Sequence, residues 1–220
     1  MTAKTIVAVW GENLSEALGT DFVADCRSAG AGRVQINISD AAVDGAMRLS
    51  VFDPPIDAVL GIWADDPQPI LNLLTAKGLR TAAWAVTVRA PLDPELPTDG
   101  SRIDALANVA FLRRPAELPY AEWRRIWLED HTQVAIDTQA TFGYYQNIVD
   151  RALTPDTPPV DAIVEELFPM GAVSDPHEFY GSGGDDAELT DRVTKMMASV
   201  SRFGAHQNLD VVPTSRFDYR

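Results

Sequence analysis

The stretch IVAVWGENLSEALGTDFVADC, residues 6–26, places a short apolar strand directly before an amphipathic helix. The apolar run Ile6–Trp10 is typical of a buried strand. Asn13 with Glu16 resembles a capping box, which predicts that a helix begins there. One face of that helix is apolar and consists of Leu14, Leu18, Phe22 and Cys26. Working outward from this strand–helix pair gives the order of elements for the rest of the chain.

The remainder of the first half continues with strand, strand, helix and strand. Apolar and polar residues alternate over 34–38, and a second apolar run fills 58–64. A short apolar helix is predicted around 70–74, and alternation returns over 84–88. The resulting order is β-α-β-β-α-β.

The second half repeats this order after a proline-rich segment. We therefore predict a first unit over residues 1–90, a linker over 91–102 and a second unit over 103–220. The second unit is predicted to contain a strand at 109–113, a long helix from about 120 to 141, strands at 144–153 and 162–168, a further helix, and a last strand at 209–214. Asp185 and Glu188 resemble a capping box at the start of that further helix. Pro213 in the last strand predicts an edge or a strand end.

The repeated order predicts the fold class α+β, with tandem ferredoxin-like units. A four-stranded sheet with both helices on one face leaves its other face bare, and that face is apolar here, so it needs a cover. The second sheet is the economical cover. We therefore predict an intramolecular pseudo-dimeric α/β barrel, and further homodimerisation of the whole chain stays open.

Composition limits the partners and the location. The chain of 220 residues has 18 Lys and Arg against 32 Asp and Glu, a formal net charge of −14. Such a surface repels phosphate groups, so we expect neither nucleic acid nor an anionic membrane as a partner. The sequence has one cysteine, Cys26, interpreted as a small core residue, so no internal disulfide is expected. With no signal peptide or membrane span recognised, a cytoplasmic location is the default.

The long helix of the second half carries the main candidate site. Trp123, Trp127 and His131 recur four residues apart and share one helical stripe. The tryptophans are predicted to pack the helix on its sheet, and Trp127 is also a candidate for a pocket wall. His131 lies at the margin of the stripe, where an ordinary pKa near 6.5 would let it transfer a proton at cellular pH. The alternative is that it only hydrogen-bonds a backbone carbonyl.

The segment FLRRPAELPYAEWRRIWLEDH, residues 111–131, resembles the EthD family, as do YYQNIV, VDAIVEELF, DPHEFY and MASV further on. The resemblance covers about residues 105–215, and His131 matches the histidine of the family. One departure is Leu118-Pro119, which stands where the family's helix begins with a Ser or Thr cap.

The resemblance implies the dimeric α/β-barrel fold and a small hydrophobic or aromatic ligand. Similar proteins include decarboxylases, cyclases and isomerases that act on aromatic or polyketide-like compounds without a metal or organic cofactor. We therefore expect no cofactor, no metal, and proton-transfer chemistry by His131 on an aromatic or carbonyl compound in catabolism or secondary metabolism. The alternative is a non-catalytic binding or accessory protein for a hydrophobic metabolite or haem, which some members of the superfamily bind.

Further candidates surround His131 in the predicted second unit. Neighbours along a strand point to opposite faces, so only one residue of each pair Tyr144–Tyr145 and Glu165–Glu166 can face inward. His177 lies in a glycine-rich segment that could form a flap, and His206 is interpreted as a cap at the C-terminus of a helix. The residues predicted to bind substrate are Trp127, Tyr144, Tyr145, Glu166 and His177.

Overall fold

The computed structural model describes residues 3–220. Its strands are β1 (Lys4–Trp10), β2 (Arg33–Ile38), β3 (Ala58–Trp63), β4 (Arg80–Leu92), β5 (Asp99–Arg102), β6 (Leu106–Leu112), β7 (Gly143–Ala152), β8 (Ala162–Phe168) and β9 (Asp210–Tyr219). The α-helices are α1 (Leu14–Ala17), α2 (Thr20–Ser28), α3 (Gln68–Ala76), α4 (Tyr120–Arg125), α5 (Thr132–Thr138), α6 (Pro176–Tyr180) and α7 (Asp186–Ser201). A π-helical turn, Ile126–His131, joins α4 to α5, and a 3₁₀ turn, Met170–Val173, precedes α6.

Eight strands form a closed antiparallel barrel in the order β2-β3-β1-β4-β7-β8-β6-β9, and pairing of β9 with β2 closes the ring. The short strand β5 pairs with β9. Strands of the first half lie in the order β2-β3-β1-β4 and those of the second half in the order β7-β8-β6-β9. The predicted α+β class is confirmed, and each half arranges its strands in the same way.

Side chains fill the inside of the barrel. At one end the packing is aromatic, and the ring of Phe111 lies 5.6 Å from Trp84 and 5.8 Å from Phe52. At the other end the buried carboxylate of Glu165 accepts hydrogen bonds from Lys4, Gln35 and Asn147. The barrel interior is therefore a packed core rather than a pocket.

Helices cover the outside of the barrel and form two further cores. In the first half, α2 and α3 pack on the outer face of the sheet, and Cys26 is buried there. Cys26 is fully buried, so the prediction of a small core residue is confirmed, and burial raises the pKa of its thiol to about 12. In the second half, the π-helical turn and α7 pack on β6, β7 and β8 around Trp123, Trp127 and Phe203. Among the helices of residues 3–220, none combines the length and apolarity that a membrane span needs.

The helix predicted after Ile6–Trp10 is interrupted. Asn13 adopts a left-handed conformation with φ of 53°, and its side chain does not accept a capping hydrogen bond, so the predicted capping box is wrong. The backbone of Gly19 is extended, which ends α1 and starts α2. Glycine is a poor helix former, and the break falls there. At Asp185 only the N-cap is confirmed: its carboxylate accepts hydrogen bonds from the N–H groups of Ala187 and Glu188. The Glu188 side chain bonds Arg192 instead of the N–H of Asp185, so the reciprocal half of the capping box is absent.

Two other details of the sequence interpretation need correction. Residues 91–102 include the end of β4 and the whole of β5, so the predicted linker is partly paired in the sheet. Pro213 lies inside β9 opposite Asn108 of β6, and the strand continues to Tyr219, so Pro213 does not mark a strand end. Pairing of β9 with β2 on its other side begins only at Ser215. The division of the chain into two units stays a prediction.

Candidate functional site

A cavity of about 320 Å³ lies between the outer face of the second-half sheet and the helices that cover it. We call it the site cavity. Its floor comes from β6, β7 and β8, and its walls from the π-helical turn and α7. The predicted residues that line it are Trp127, His131, Tyr144 and Glu166. The volume falls at the lower end of the range for small-molecule sites.

The alternation of strand residues decides which predicted side chains reach the site cavity. Tyr144 of β7 is paired with Glu166 of β8, and both face the helices. Tyr145 is paired with Glu165, and both face the barrel interior. The Tyr145 hydroxyl donates a hydrogen bond over 3.0 Å to Asp93, an exposed residue just beyond the end of β4. The sequence left each pair open, and the structure assigns Tyr144 and Glu166 to the cavity.

Glu166 is the one carboxylate that lines the site cavity among the described residues. Within residues 3–220 it makes no side-chain hydrogen bond or ion pair. Burial disfavours its charged form and raises its pKa to about 7. A carboxyl group with this pKa can both give and take a proton near neutral pH.

Two tyrosines stand close to this carboxyl group. Tyr144 is fully buried, and its hydroxyl accepts a long hydrogen bond of 3.5 Å from the side chain of Gln146. Burial is the larger cause that raises the pKa of Tyr144, and the negative charge of Glu166 is the second. The same two causes raise the pKa of Tyr180. Both phenols therefore stay protonated and can act as hydrogen-bond donors in the site cavity.

His131 lies at the end of the π-helical turn and also faces the site cavity. Its Nδ1 shares a hydrogen bond of 2.9 Å with Ser199 Oγ of α7, and its ring lies 4.8 Å from that of Phe203. The alternative interpretation, a bond to a backbone carbonyl, is wrong because Ser199 is the partner. Burial lowers the pKa of His131 to about 4, not the ordinary value assumed from the sequence. The imidazole is therefore neutral at physiological pH.

The two tryptophans pack the helix on the sheet as predicted. Trp123 donates a hydrogen bond of 3.1 Å to the carbonyl of Phe203, and its ring lies 5.3 Å from that of Trp127. Of the two, only Trp127 lines the site cavity. The wider π-helical turn begins just after α4, and such turns are frequent at functional sites.

The first half of the chain supplies the mouth of the site cavity, which the sequence did not predict. The loop between β2 and β3 crosses to β9, where Leu49 and Val211 exchange backbone hydrogen bonds. Asp210 accepts hydrogen bonds from the N–H groups of Val51 and Phe52 and fixes the loop. The loop places Met47 and Leu49 at the cavity. No local pattern in the loop signals this contact, because it depends on closure of the barrel.

Two histidines lie elsewhere than predicted. His177 does not line the site cavity; its Nδ1 shares a hydrogen bond with Ser182, and its Nε2 lies 3.4 Å from Asp186. His206 is exposed at the rim of the cavity. Helix α7 ends at Ser201 and is capped by backbone N–H groups, so the interpretation of His206 as a cap is wrong.

Haem does not fit the site cavity. Of the described residues that line it, none is Lys or Arg, so the haem propionates would have no cationic partner. A porphyrin is also large for about 320 Å³, although His131 presents a ring nitrogen. In the described part of the chain, no group of three His, Cys, Asp or Glu side chains is placed to hold a metal ion.

Comparisons with solved structures identify the fold. The chain is similar to an anthrone oxidase-like protein, with 8% identity, a TM-score of 0.56 and coverage of 99% of this chain and 92% of that one. It is similar to a "putative monooxygenase" from Lactobacillus acidophilus NCFM, with 7% identity, a TM-score of 0.50 and coverage of 98% and 94%. At identities this low the similarity shows the fold alone, and it supports the α/β-barrel fold that the resemblance implies.

Sequence comparisons add nothing to the fold. No protein-family model matches the chain, and no curated protein sequence matches it. Membership of the EthD family therefore stays a prediction.

Proposed function

We propose that this protein is an enzyme that transfers a proton on a small, mostly apolar carbonyl or aromatic compound held in the site cavity. The observation that carries the proposal is Glu166, an unpaired carboxyl group with a pKa of about 7 in a largely apolar cavity. We assign the proton transfer to Glu166, because burial leaves His131 with a pKa of about 4 and makes it a weak base.

The other polar residues take supporting roles in this proposal. Glu166 removes a proton from the carbon next to a carbonyl group, and the electron pair moves to the carbonyl oxygen. The phenol of Tyr144 donates a hydrogen bond to that oxygen as charge develops. His131, neutral and held by Ser199, offers its second ring nitrogen to the ligand, and Trp127 forms an apolar wall. In a β,γ-unsaturated ketone the electron pair is shared with the γ carbon, and return of the proton to that carbon moves the double bond and completes an isomerisation.

The same proposal includes the division of the chain into two units, its family and its oligomeric state. The repeated strand order supports two tandem ferredoxin-like units that together form a pseudo-dimer. Kinship with the EthD family, a cytoplasmic location, a role in catabolism and a further homodimer remain predictions. A second candidate function is storage or delivery of a hydrophobic metabolite, which the apolar cavity and the exposed Met47 at its mouth favour.

Proton exchange in deuterated buffer tests the catalytic proposal. Acetophenone and 2-tetralone exchange the hydrogens next to their carbonyl groups slowly in neutral water, and proton NMR follows the loss of those signals. The wild-type protein should accelerate exchange of at least one of them. Glu166→Gln should lower the rate by about 10²-fold or more, the usual contribution of a positioned acid or base.

The matched control is His177→Ala, which removes a titratable group outside the site cavity and should leave exchange unchanged. Equal rates in the wild-type protein and Glu166→Gln would contradict the assignment of Glu166. Binding of the ketones without accelerated exchange would favour the carrier function.

A further inference from the structure

A second cavity of about 250 Å³ adjoins the site cavity next to α6. We call it the side chamber. It is lined by residues of the 3₁₀ turn and α6 and by the loop between β2 and β3. The two cavities share the lining residues Met47, Asn108, Phe179 and Tyr180. The two cavities therefore border the same four residues.

Asn108 stands at the junction with an unused side chain. It lies on β6, is only 6% exposed, and is paired with Glu166 of β8. Its Oδ1 atom is buried and has no hydrogen-bond partner in residues 3–220. Leaving a buried polar group unpaired destabilises a fold. Packing alone therefore gives no reason for an asparagine at this position.

We propose that Asn108 determines ligand specificity by hydrogen-bonding an oxygen in the middle of an elongated ligand that occupies both cavities. The two ends of a carboxamide have nearly the same shape, so a half-turn of the side chain exchanges its oxygen and its NH₂ group. Asn108 can therefore donate to a ketone or accept from a hydroxyl group. The inference rests on the proposed ligand-binding role of the site cavity but does not require catalysis there.

The charges around both cavities define the class of ligand. Among the described residues that line them, none is Lys or Arg, whereas Glu166 and Asp175 are acidic. An anionic ligand would gain no cationic partner. The neighbouring walls are mostly apolar, with Leu106 and Phe179 in the side chamber and Trp127 and Phe203 in the site cavity. The ligand is therefore neutral, apolar at both ends, and carries a ketone or hydroxyl oxygen between them.

Two isomeric ketones test the position of this oxygen. Dibutyl ketone carries its carbonyl group in the middle of the chain, and methyl heptyl ketone carries it near one end, with the same atoms and closely similar hydrophobicity. The wild-type protein should bind dibutyl ketone about 3- to 10-fold more tightly, the gain expected from one neutral hydrogen bond. Ligand-observed NMR titration measures both dissociation constants. Nonanoate, an anion of the same length, should bind more weakly than either ketone.

The variant Asn108→Leu keeps the size of the side chain and removes its hydrogen-bonding groups. It should bind the two ketones equally well, and its melting temperature should equal or exceed that of the wild-type protein. Asn108→Ala provides a second variant if leucine packs poorly, and it should also lose the preference. A preference that persists in both variants, or equal binding of the isomers by the wild-type protein, would overturn the role of Asn108.

The outcomes also separate this inference from the catalytic proposal. If the wild-type protein distinguishes the isomers but accelerates no proton exchange, the role of Asn108 in ligand recognition is supported and the proposed catalytic activity is not. If neither ketone binds, both the inference and the proposed role of the site cavity are wrong. Tighter binding of nonanoate would overturn the assignment of a neutral ligand.

Discussion

Glu165 and Glu166 are neighbours in β8, and they lie in opposite environments. Glu165 faces the barrel interior, where Lys4, Gln35 and Asn147 donate hydrogen bonds to it. Burial opposes its ionisation, but the positive charges of Lys4 and Arg216 outweigh burial and lower its pKa to about 2. Glu166 faces the site cavity without a partner in the described residues, and its pKa rises to about 7.

The comparison shows that one face of β8 stabilises the barrel, whereas its other face lines the site cavity. The polar groups around Glu165 are mostly paired with one another and join strands of both halves, which fixes how the barrel closes. On the other face, the carboxyl group of Glu166 lacks a partner among the described residues and faces a cavity. A buried polar group that has partners stabilises the fold, whereas one that lacks partners is available to a ligand.

The largest effect should come from removing the barrel carboxylate. Glu165→Ala leaves the charges of Lys4 and Arg216 buried without their carboxylate, and breaking a buried ion pair costs about 3–5 kcal/mol. Urea denaturation of this variant and of Glu166→Ala measures the difference. A loss of less than about 1 kcal/mol for Glu165→Ala would show that the barrel network is not what stabilises the fold.

Removing the carboxyl group of Glu166 should raise the free energy of unfolding instead of lowering it. The folded pKa of Glu166 lies above its unfolded value, so its ionisation costs stability as pH rises from about 4.5 to 7, and the full cost remains above pH 7. Glu166→Gln should therefore be more stable than the wild-type protein at pH 8, by up to ~3 kcal/mol. The two should converge near pH 4. A gain that is the same at both pH values would contradict the raised pKa.

The loop between β2 and β3, which forms the mouth of the site cavity, should become more mobile when Asp210 is replaced. Its carboxylate bonds two backbone N–H groups of the loop and Arg113 over 2.8 Å. Asp210→Ala should cost about 2 kcal/mol, because it leaves these donors unpaired. Hydrogen exchange should become faster at Val51 and Phe52 and stay unchanged in α2. Unchanged protection of the loop would mean that the bridge between Leu49 and Val211 is sufficient to hold it.

The smallest effects should come from the tyrosine pair. Tyr145→Phe removes a hydrogen bond of 3.0 Å to the exposed Asp93 and should cost about 1 kcal/mol. Tyr144→Phe removes a hydroxyl that only accepts a long bond from Gln146, so its free energy of unfolding should change little. Proton exchange should fall in Tyr144→Phe alone. The reverse pattern would place the functional face inside the barrel.

Periodicity in the sequence was sufficient for the fold because each strand and helix encodes its own buried face. The order of elements, the alternation over 34–38 and the stripe of Trp123, Trp127 and His131 are local patterns, and each led to an element that the structure contains. The broken helix at Gly19 and the strand in 99–102 depend on backbone conformation and pairing that such patterns do not encode.

The site was predicted only in part, because it depends on which groups meet after folding. Trp127, His131, Tyr144 and Glu166 were predicted and come together. The lowered pKa of His131 follows from burial under α7, and the missed Asn108 becomes visible only when its amide is found without a partner. His177 was predicted from its glycine-rich surroundings and lies outside the cavity.

The pKa of Glu166 itself tests the central claim most directly. Selective ¹³C labelling of glutamate lets carboxyl NMR signals be followed against pH, and Glu166→Gln identifies the signal by its loss. We expect a midpoint near 7 for Glu166, and no titration of Glu165 above pH 4 in the same sample. A midpoint of Glu166 near the ordinary value of about 4.3 would contradict the account, because the carboxylate would then be a solvated surface group.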